Sequence, residues 1–404
     1  MRDTGAGNSL RRTLNLPWLV FYGVGVTIGA GIFALIGQIV AIAGDHAALA
    51  FLVAGFVAAF TGFSYAALAS AYPRAAGEAV FVKIGFGHFA GKLIGLGVVA
   101  VAITSTAVIA LAFAGYVGAV TGLPESVSLI GVLVFLSAVA WAGVRESVGF
   151  AALITILEVA TLIVVTIAGL PLLAEPGVAL RVLSLPSGAV AWSSVFAGAF
   201  VAFFAFIGFE DIENMAEETH NPHRAIPQAI ILTLVISVAI YVLVAMVAAA
   251  FPDRAALTAS KAPLALLFER ITFYPAAPIA VMASIAMING ILVQIVMASR
   301  VLYGMAREGM LPAAIGVLDP KRQTPVRAIV LVAALACLLA LLLPLLQLAE
   351  LTSLVMLLIF ATVNLSLFLI GRREGSAPVL KRWRFWGLAG AAVSLALIMA
   401  ELLG

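Results

Sequence analysis

The chain has 404 residues, of which 64% are hydrophobic and 10% are charged, and its formal net charge is +3. Soluble domains carry about 25% charged residues, and a water-soluble globule needs a polar shell that this composition does not supply. The composition therefore excludes a soluble protein and predicts that lipid surrounds most of the chain. The small net charge requires no nucleic-acid partner.

Eleven apolar runs are long enough to form membrane-spanning helices. A bilayer core about 30 Å thick needs about 20 apolar residues at a rise of 1.5 Å each. The runs cover residues 13–44, 46–73, 93–124, 126–144, 147–174, 182–209, 225–252, 271–299, 328–349, 351–371 and 385–400. We therefore predict an all-α integral membrane protein with about eleven transmembrane helices, forming a single domain over residues 1–404.

The basic residues are distributed unevenly between the connections. If the N-terminus is cytoplasmic, 18 of the 22 lysines and arginines fall on the cytoplasmic side. The other four basic residues, expected on the external side, are Arg181, Arg254, Lys261 and Arg270. Such an excess of basic residues marks cytoplasmic loops. The first run is too long for a signal peptide, so we expect a retained span, a cytoplasmic N-terminus and a multi-pass protein of the cytoplasmic membrane.

The first span contains four glycines within nine residues, namely Gly23, Gly25, Gly29 and Gly31. Each glycine weakens a helix by about 1 kcal/mol relative to alanine. The glycines predict either an interrupted helix or close helix–helix packing through a Gly-x-x-x-Gly pattern. The first span alone does not decide between these two structures.

The fifth span carries one charged residue, Glu158. An acidic side chain at membrane depth is costly unless it is paired, protonated or faces water, so it indicates a functional site by default. Glu158 either joins spans as a protonated or paired carboxyl group, or binds and releases a proton during a transport cycle. Both hypotheses stay open.

The sixth span contains Gly208 and, directly after it, acidic residues that begin with Glu210. One alternative is that the span ends at Gly208 and the acids lie at the interface. However, residues 193–207 alone would be too short to cross a bilayer. We therefore predict that the helix breaks at Ile207–Phe209 and resumes to about Glu218. Glu210 becomes a second candidate for proton coupling, with a structural role as the alternative.

The two interruptions fall at matching positions of two five-span halves, residues 13–174 and 182–371, with residues 385–403 as an extra C-terminal helix. Because five is odd, the second half enters the membrane from the opposite face. Interrupted helices at such positions indicate a binding site at the bilayer midplane. Free amides at one half-helix end suit a carboxylate and free carbonyls at the other suit an ammonium. The pattern predicts an α-amino acid substrate.

Four separated segments resemble signatures of the amino acid–polyamine–organocation superfamily of permeases. They are Ile28–Phe33, Tyr72–Glu78, Phe206–Glu210 together with Ala216–Pro227, and Ala298–Gly309. The segments occur in the order of the family. The resemblance implies a LeuT-like fold, which is a 5+5 inverted repeat with discontinuous helices 1 and 6, and transport by alternating access.

The resemblance also implies the substrate contacts. The carboxylate would contact the amides of Gly29, Ala30 and Gly31, and the ammonium would contact carbonyls of Thr27, Phe204 and Ile207. The other residues of the two segments, Ile28, Ala205 and Gly208, complete the implied site. Most family members have twelve spans rather than eleven. Several proton-coupled members carry a lysine where this chain has Glu158, which argues against lysine-type coupling here.

These observations predict a secondary transporter for amino acids, acting as a proton-coupled symporter or an exchanger. The alternative is a polyamine or organic-cation carrier, which would need an additional acid in the pocket. A channel would need a continuous polar ring, and none is visible. Ser299 offers a single hydroxyl where a sodium site would need two, so sodium coupling is disfavoured.

Enzyme chemistry is not indicated by the remaining polar residues. The four histidines lie in connections without metal-ligand spacing, and Cys337 is the one cysteine. We therefore expect no catalytic residues, no metal site and no cofactor, with lipid and a small amino acid as partners and protons as the candidate coupling ion. Asn289, Gln294 and Asn364 are expected to form interhelical hydrogen bonds, with lining of the transport pathway as the alternative.

Overall fold

The computed structural model describes residues 14–72, 77–143 and 148–403. Residues 1–13, which carry the predicted cytoplasmic N-terminus, lie outside the described residues. Residues 73–76 of the motif after the second span and Arg145 also lie outside them.

The described chain is built from helices joined by short connections. The α-helices are α1 (Leu16–Ala43), α2 (Ala47–Ala71), α3 (Gly77–Phe86), α4 (His88–Thr121), α5 (Glu125–Ala142), α6 (Val148–Ala174), α7 (Val178–Leu183), α8 (Ala189–Ala202), α9 (Pro222–Ala250), α10 (Arg254–Ala259), α11 (Pro263–Thr272), α12 (Ala277–Arg307), α13 (Val326–Leu342), α14 (Leu345–Gly371) and α15 (Pro378–Leu403).

Within the described residues, nine helical segments are long and apolar enough to cross a membrane. The first, Leu16–Ala71, contains both α1 and α2, which are joined by a single 3₁₀ turn at Gly44–His46. The helix Val326–Leu342 is apolar but shorter. The chain is therefore a multi-pass membrane protein, and the count of eleven spans stays a prediction.

Helix α1 is interrupted near its middle. Asn15 caps its N-terminus by accepting a hydrogen bond from the Trp18 amide at 3.4 Å. At Gly29 the backbone leaves the helical region, with φ of −8° and ψ of −144°. The interruption predicted from the glycines of the first span is therefore present.

The sixth span is also interrupted where the sequence predicts. Helix α8 continues as a 3₁₀ helix over Phe203–Phe206, turns at Ile207 and Gly208, and resumes as a second 3₁₀ helix over Phe209–Glu218. Gly208 has a φ of 125°, which side chains with a β-carbon rarely adopt. A glycine is therefore required at the turn.

The two interruptions contact each other through their backbones. A β-carbon on Gly31 would lie 2.7 Å from Cα of Ala205, and one on Gly208 would lie 2.9 Å from the carbonyl oxygen of Val26. Only hydrogen fits at these two positions, so each break supports the other.

Ion pairs link the connections at one end of the helices. Asp45, between α1 and α2, pairs with Arg254 at the start of α10 and with Arg181 of α7, the latter at 3.4 Å. Lys261, between α10 and α11, pairs with Glu125 at the start of α5. Because Asp45 precedes α2 and Gly77 follows it, these ion pairs and α3 lie at opposite ends of a 25-residue helix.

Candidate functional site

A small cavity of about 50 Å³ lies at the two interruptions. Its walls come from α1, α4, α6, α12 and the break after α8. The lining residues are Gly25, Val26, Thr27, Gly29, Ala30, Gly31, Ser105, Ile109, Glu158, Phe204, Ile207, Ala286, Asn289, Gly290, Val293 and Gln294. We call this space the central cavity.

Six of the nine predicted substrate-binding residues line the central cavity. They are Thr27, Gly29, Ala30, Gly31, Phe204 and Ile207. The other three, Ile28, Ala205 and Gly208, are buried but are not part of its wall. Ala205 and Gly208 instead form the contacts that hold the break of the sixth span against α1.

Gly29 differs from Gly25 and Gly31 in the space that a side chain would meet. A β-carbon on Gly29 would meet no atom within 4 Å, whereas one on Gly25 would overlap Thr155. Because Gly29 lines the central cavity, its missing side chain leaves space that a ligand can occupy. At Gly31, by contrast, a β-carbon would overlap Ala205, so a glycine is needed for the two segments to pack this closely.

Tyr241 of α9 joins the two interruptions. Its hydroxyl lies 2.7 Å from the carbonyl oxygens of both Thr27 and Ala205. Its hydroxyl is directed at both acceptors and so links α1 to the sixth span. A carbonyl oxygen has two lone pairs, so the Thr27 carbonyl can accept a second hydrogen bond. Sequence reasoning missed this residue, since a tyrosine in an apolar helix carries no distinguishing signal.

Glu158 lies in the wall of the central cavity and is 2% exposed. Its Oε2 atom has no hydrogen-bond partner in the protein. No lysine, arginine or histidine of the described residues lines this cavity. A buried carboxylate without a cationic partner is costly, and a bound proton or a cationic ligand lowers that cost.

Two amide side chains of α12 also face this space. The Oδ1 atom of Asn289 and the Oε1 atom of Gln294 are buried without a partner, and both residues line the central cavity. The structure therefore favours pathway lining for these two residues rather than interhelical hydrogen bonds. Asn364 does form the expected interhelical bond, donating to Thr61 at 2.9 Å. Thr27 adds a further unpartnered hydroxyl to the cavity.

A second cavity, of about 460 Å³, adjoins the first. Ile207 and Gln294 line both cavities and form the wall between them. The larger cavity is lined by α3, α4, the 3₁₀ helix after Gly208 and the C-terminal part of α12. It lies at the α3 end of the molecule, opposite the ion pairs of Asp45. We call it the lower cavity.

The lower cavity carries the acidic residues of the sixth span. Glu210 and Asp211 line it, and the Glu210 carboxylate accepts a hydrogen bond from the Gly208 amide at 2.9 Å. Glu210 therefore stabilises the turn at the break and does not reach the central cavity. Asp211 lies in the wall, while Glu213 is fully buried and neither of its carboxylate oxygens has a partner.

Glu78 of α3 lines the lower cavity from the other side. Burial raises the pKa of its carboxyl group above the ordinary value of 4.5. Lys83, Lys92 and His88 also line this cavity. The lower cavity is thus mixed in charge, whereas the charge of the central cavity comes from Glu158 among the described residues.

Comparison with known proteins identifies the family. The family model described as amino acid permease matches residues 14–403. The chain belongs to the amino acid permease family. The match covers both interruptions and the residues of both cavities.

Relatives of this permease support the same assignment. An uncharacterised transporter of Mycobacterium tuberculosis is 32% identical, over 91% of this chain and 82% of its own length. The vacuolar cationic amino acid transporter 2 of Arabidopsis thaliana is 31% identical, over 90% of this chain and 60% of its own length. The branched-chain amino acid permease of Bacillus subtilis is 26% identical, over 93% and 84%. The permease is therefore a transporter of amino acids and not an enzyme.

Proposed function

We propose that this permease moves an amino acid across the cytoplasmic membrane by secondary active transport, with alternating access to the central cavity. The observation that carries the proposal is the position of that cavity, where the interruption of α1 contacts the interruption of the sixth span. Unpaired backbone at membrane depth is tolerated where it lines a protein cavity. A LeuT-like inverted repeat of residues 13–174 and 182–371 accounts for two such breaks.

The substrate carboxylate is proposed to bind the amides of Gly29, Ala30 and Gly31, at the start of the second half of α1. The helix dipole and free amides at such an end attract an anion. The ammonium is proposed to bind carbonyls of Thr27, Phe204 and Ile207. In support, all six residues line the same cavity. Ile28, Ala205 and Gly208 contribute by holding these segments in place.

We propose that this conformation is open to the cytoplasm as far as Ile207 and Gln294, which separate the lower cavity from the central cavity. In support, the lower cavity adjoins the central one at Ile207 and Gln294, while the ion pairs of Asp45 link the connections at the other end. The excess of basic residues in the connections at this end favours a cytoplasmic position for the lower cavity. Movement of Ile207 and Gln294 would then connect the substrate with the cytoplasm.

Proton coupling is proposed to involve Glu158, with Glu210 as the second candidate. Glu158 is favoured because its unpartnered carboxylate lies in the central cavity itself, where binding of a proton and of a substrate affect each other. Glu210 already accepts a hydrogen bond from the Gly208 amide, so its titration would act through the shape of the break.

A carrier of polyamines or other organic cations is the second candidate function. One observation favours it, since Glu158 provides the additional acid that such a pocket needs. The relatives in Arabidopsis thaliana and Bacillus subtilis are named for cationic and for branched-chain amino acids, respectively. Their names extend the candidate substrates to both charge classes.

Uptake by purified permease in proteoliposomes tests these functions. Labelled amino acids of each charge class and labelled polyamines are offered with a proton gradient, a sodium gradient or internal substrate alone. Amino acid transport predicts saturable uptake that internal amino acid accelerates. Uptake restricted to polyamines would support the second function, and uptake that does not saturate would contradict a carrier.

A further inference from the structure

The described residues that line the central cavity include one acidic residue, Glu158, and no lysine, arginine or histidine. Glu158 is buried in its wall with Oε2 unpartnered, and the other orphaned side-chain atoms around it, on Thr27, Asn289 and Gln294, are oxygens. An amino acid with a neutral side chain brings one positive and one negative group, so it leaves the net charge of the cavity unchanged. Membrane surroundings make that uncompensated negative charge costly.

Among the residues that the structure describes, no neighbouring side chain supplies the missing charge. Helix α6 packs against α1, α7, α9, α11 and α12, and α1 carries no charged residue. Tyr241 of α9 is titratable, but a phenol carries no positive charge in either of its forms. The other titratable residues of these helices are Tyr22, Arg181, His223, Arg224, Glu269, Arg270, Arg300, Tyr303 and Arg307, and none of them lines the central cavity.

We infer that the central cavity takes up one positive charge beyond a neutral amino acid, supplied by a proton on Glu158 when the substrate is neutral and by the substrate itself when its side chain is cationic. This inference rests on the proposed function and assigns the coupling to one residue. The proton comes from water on the side where the substrate enters, binds the carboxylate, and returns to water on the other side.

The two cavities allow substrates of both kinds. At about 50 Å³ the central cavity holds the amino acid backbone groups and little more, while Ile207 and Gln294 separate it from the space of about 460 Å³ below. A long side chain extends past these residues. Its charge still acts on Glu158, because electrostatic interactions are strong in surroundings of low dielectric constant.

The consequence is that the proton-to-substrate ratio depends on the charge of the substrate. The test uses proteoliposomes that contain a pH-sensitive dye, with the membrane potential held at zero by potassium and valinomycin. Labelled L-leucine and L-lysine are supplied separately. We expect about one proton per leucine and about none per lysine, because one carboxylate binds one proton. Equal proton ratios for the two substrates would overturn the inference and leave the proposed function standing.

A variant assigns the effect to Glu158. In Glu158→Gln, leucine uptake is expected to continue without proton movement, and lysine affinity is expected to fall about tenfold or more, since the attraction between the side-chain ammonium and the carboxylate is lost. Glu350→Gln is the matched control, because Glu350 is a membrane-helix glutamate that lines neither cavity. Unchanged lysine affinity in Glu158→Gln would overturn the inference. If the wild-type protein moves neither amino acid, the proposed function itself fails, and the inference fails with it.

Discussion

The hydroxyl of Tyr241 lies 2.7 Å from the carbonyl oxygen of Thr27, at the point where α1 leaves its helical path. The same hydroxyl lies equally close to the Ala205 carbonyl of the sixth span. One side chain of α9 thus connects the two interrupted segments on which the substrate site depends.

Removal of this hydroxyl in Tyr241→Phe is expected to lower the free energy of unfolding by about 1–3 kcal/mol, because buried carbonyl oxygens lose their donor. Substrate affinity is expected to fall as well, since the two segments are less firmly positioned. Denaturation in detergent and equilibrium binding measure the two effects. Tyr274→Phe, at an exposed tyrosine, serves as the control. A Tyr241→Phe variant with wild-type stability would show that the bridge is not needed.

Gly29→Ala and Gly31→Ala are expected to fail in different ways. The added methyl group of Gly29→Ala enters the central cavity, so affinity falls by about tenfold or more while the melting temperature stays close to that of the wild type. In Gly31→Ala the methyl group meets the Ala205 backbone, which costs about 1–3 kcal/mol of stability by overpacking. Thermal unfolding and ligand binding, measured on both variants, separate the two. Equal losses of stability in the two variants would contradict the conclusion that Gly29 faces the central cavity and Gly31 faces Ala205.

The amide oxygen of Gln294, which has no hydrogen-bond partner in the protein, is expected to contact the substrate. Gln294→Leu should weaken binding about three- to tenfold, the equivalent of one hydrogen bond, without loss of stability. Asn364→Leu is the comparison, because Asn364 already bonds to Thr61. It should reduce stability and leave affinity unchanged. Isothermal titration on the two purified variants tests the pair, and the reverse pattern would place the site elsewhere.

Glu78 makes stability depend on pH. The folded-state pKa lies above the ordinary value of 4.5, so the unfolded chain loses its proton first as pH rises. The stabilising contribution is therefore complete below about pH 4.5 and is lost as pH rises through the folded-state pKa. Glu78→Gln should remove this part of the pH dependence and be more stable than the wild type at high pH. Unfolding curves between pH 4 and 9, identical for both proteins, would contradict this expectation.

The ion pairs of Asp45 are expected to limit access at the end of the helices opposite the lower cavity. In Asp45→Asn, a cysteine placed at the buried position of Leu257 should react with a thiol reagent about two- to fivefold faster, because partly exposed ion pairs contribute up to about 1 kcal/mol. The measurement uses a Cys337→Ser background. Glu175→Gln, at an exposed acid of the same end, is the control. An unchanged reaction rate would show that other contacts close this end.

The interruptions could be predicted from the sequence because they depend on glycine. At Gly208 the positive φ demands a residue without a β-carbon, and the acidic residues that follow exclude a continuous apolar helix. The glycines indicate the two breaks, at Gly23–Gly31 and Ile207–Phe209, whereas the substrate contacts within Thr27–Gly31 and Phe204–Gly208 are implied by the family resemblance. Glu158 could also be found from the sequence, because it is a charged residue inside an otherwise apolar run.

Other features could not be predicted because they depend on which way a side chain points. The amides of Asn289 and Gln294 suit a helix contact and a cavity wall equally well, and only packing of α12 against α1 and α6 decides between them. The short helix α3 was also missed, since ten residues of mixed polarity give a weak periodic signal. It supplies Glu78 to the lower cavity.

The backbone contacts of Gly31 with Ala205 and of Gly208 with Val26 leave no room for sliding between the two broken segments. In the proposed alternating-access cycle we therefore expect these two segments to move together. They would move relative to α4 and α12, which are packed against each other. The groups proposed to bind the substrate would then keep their spacing while access changes from one side of the membrane to the other.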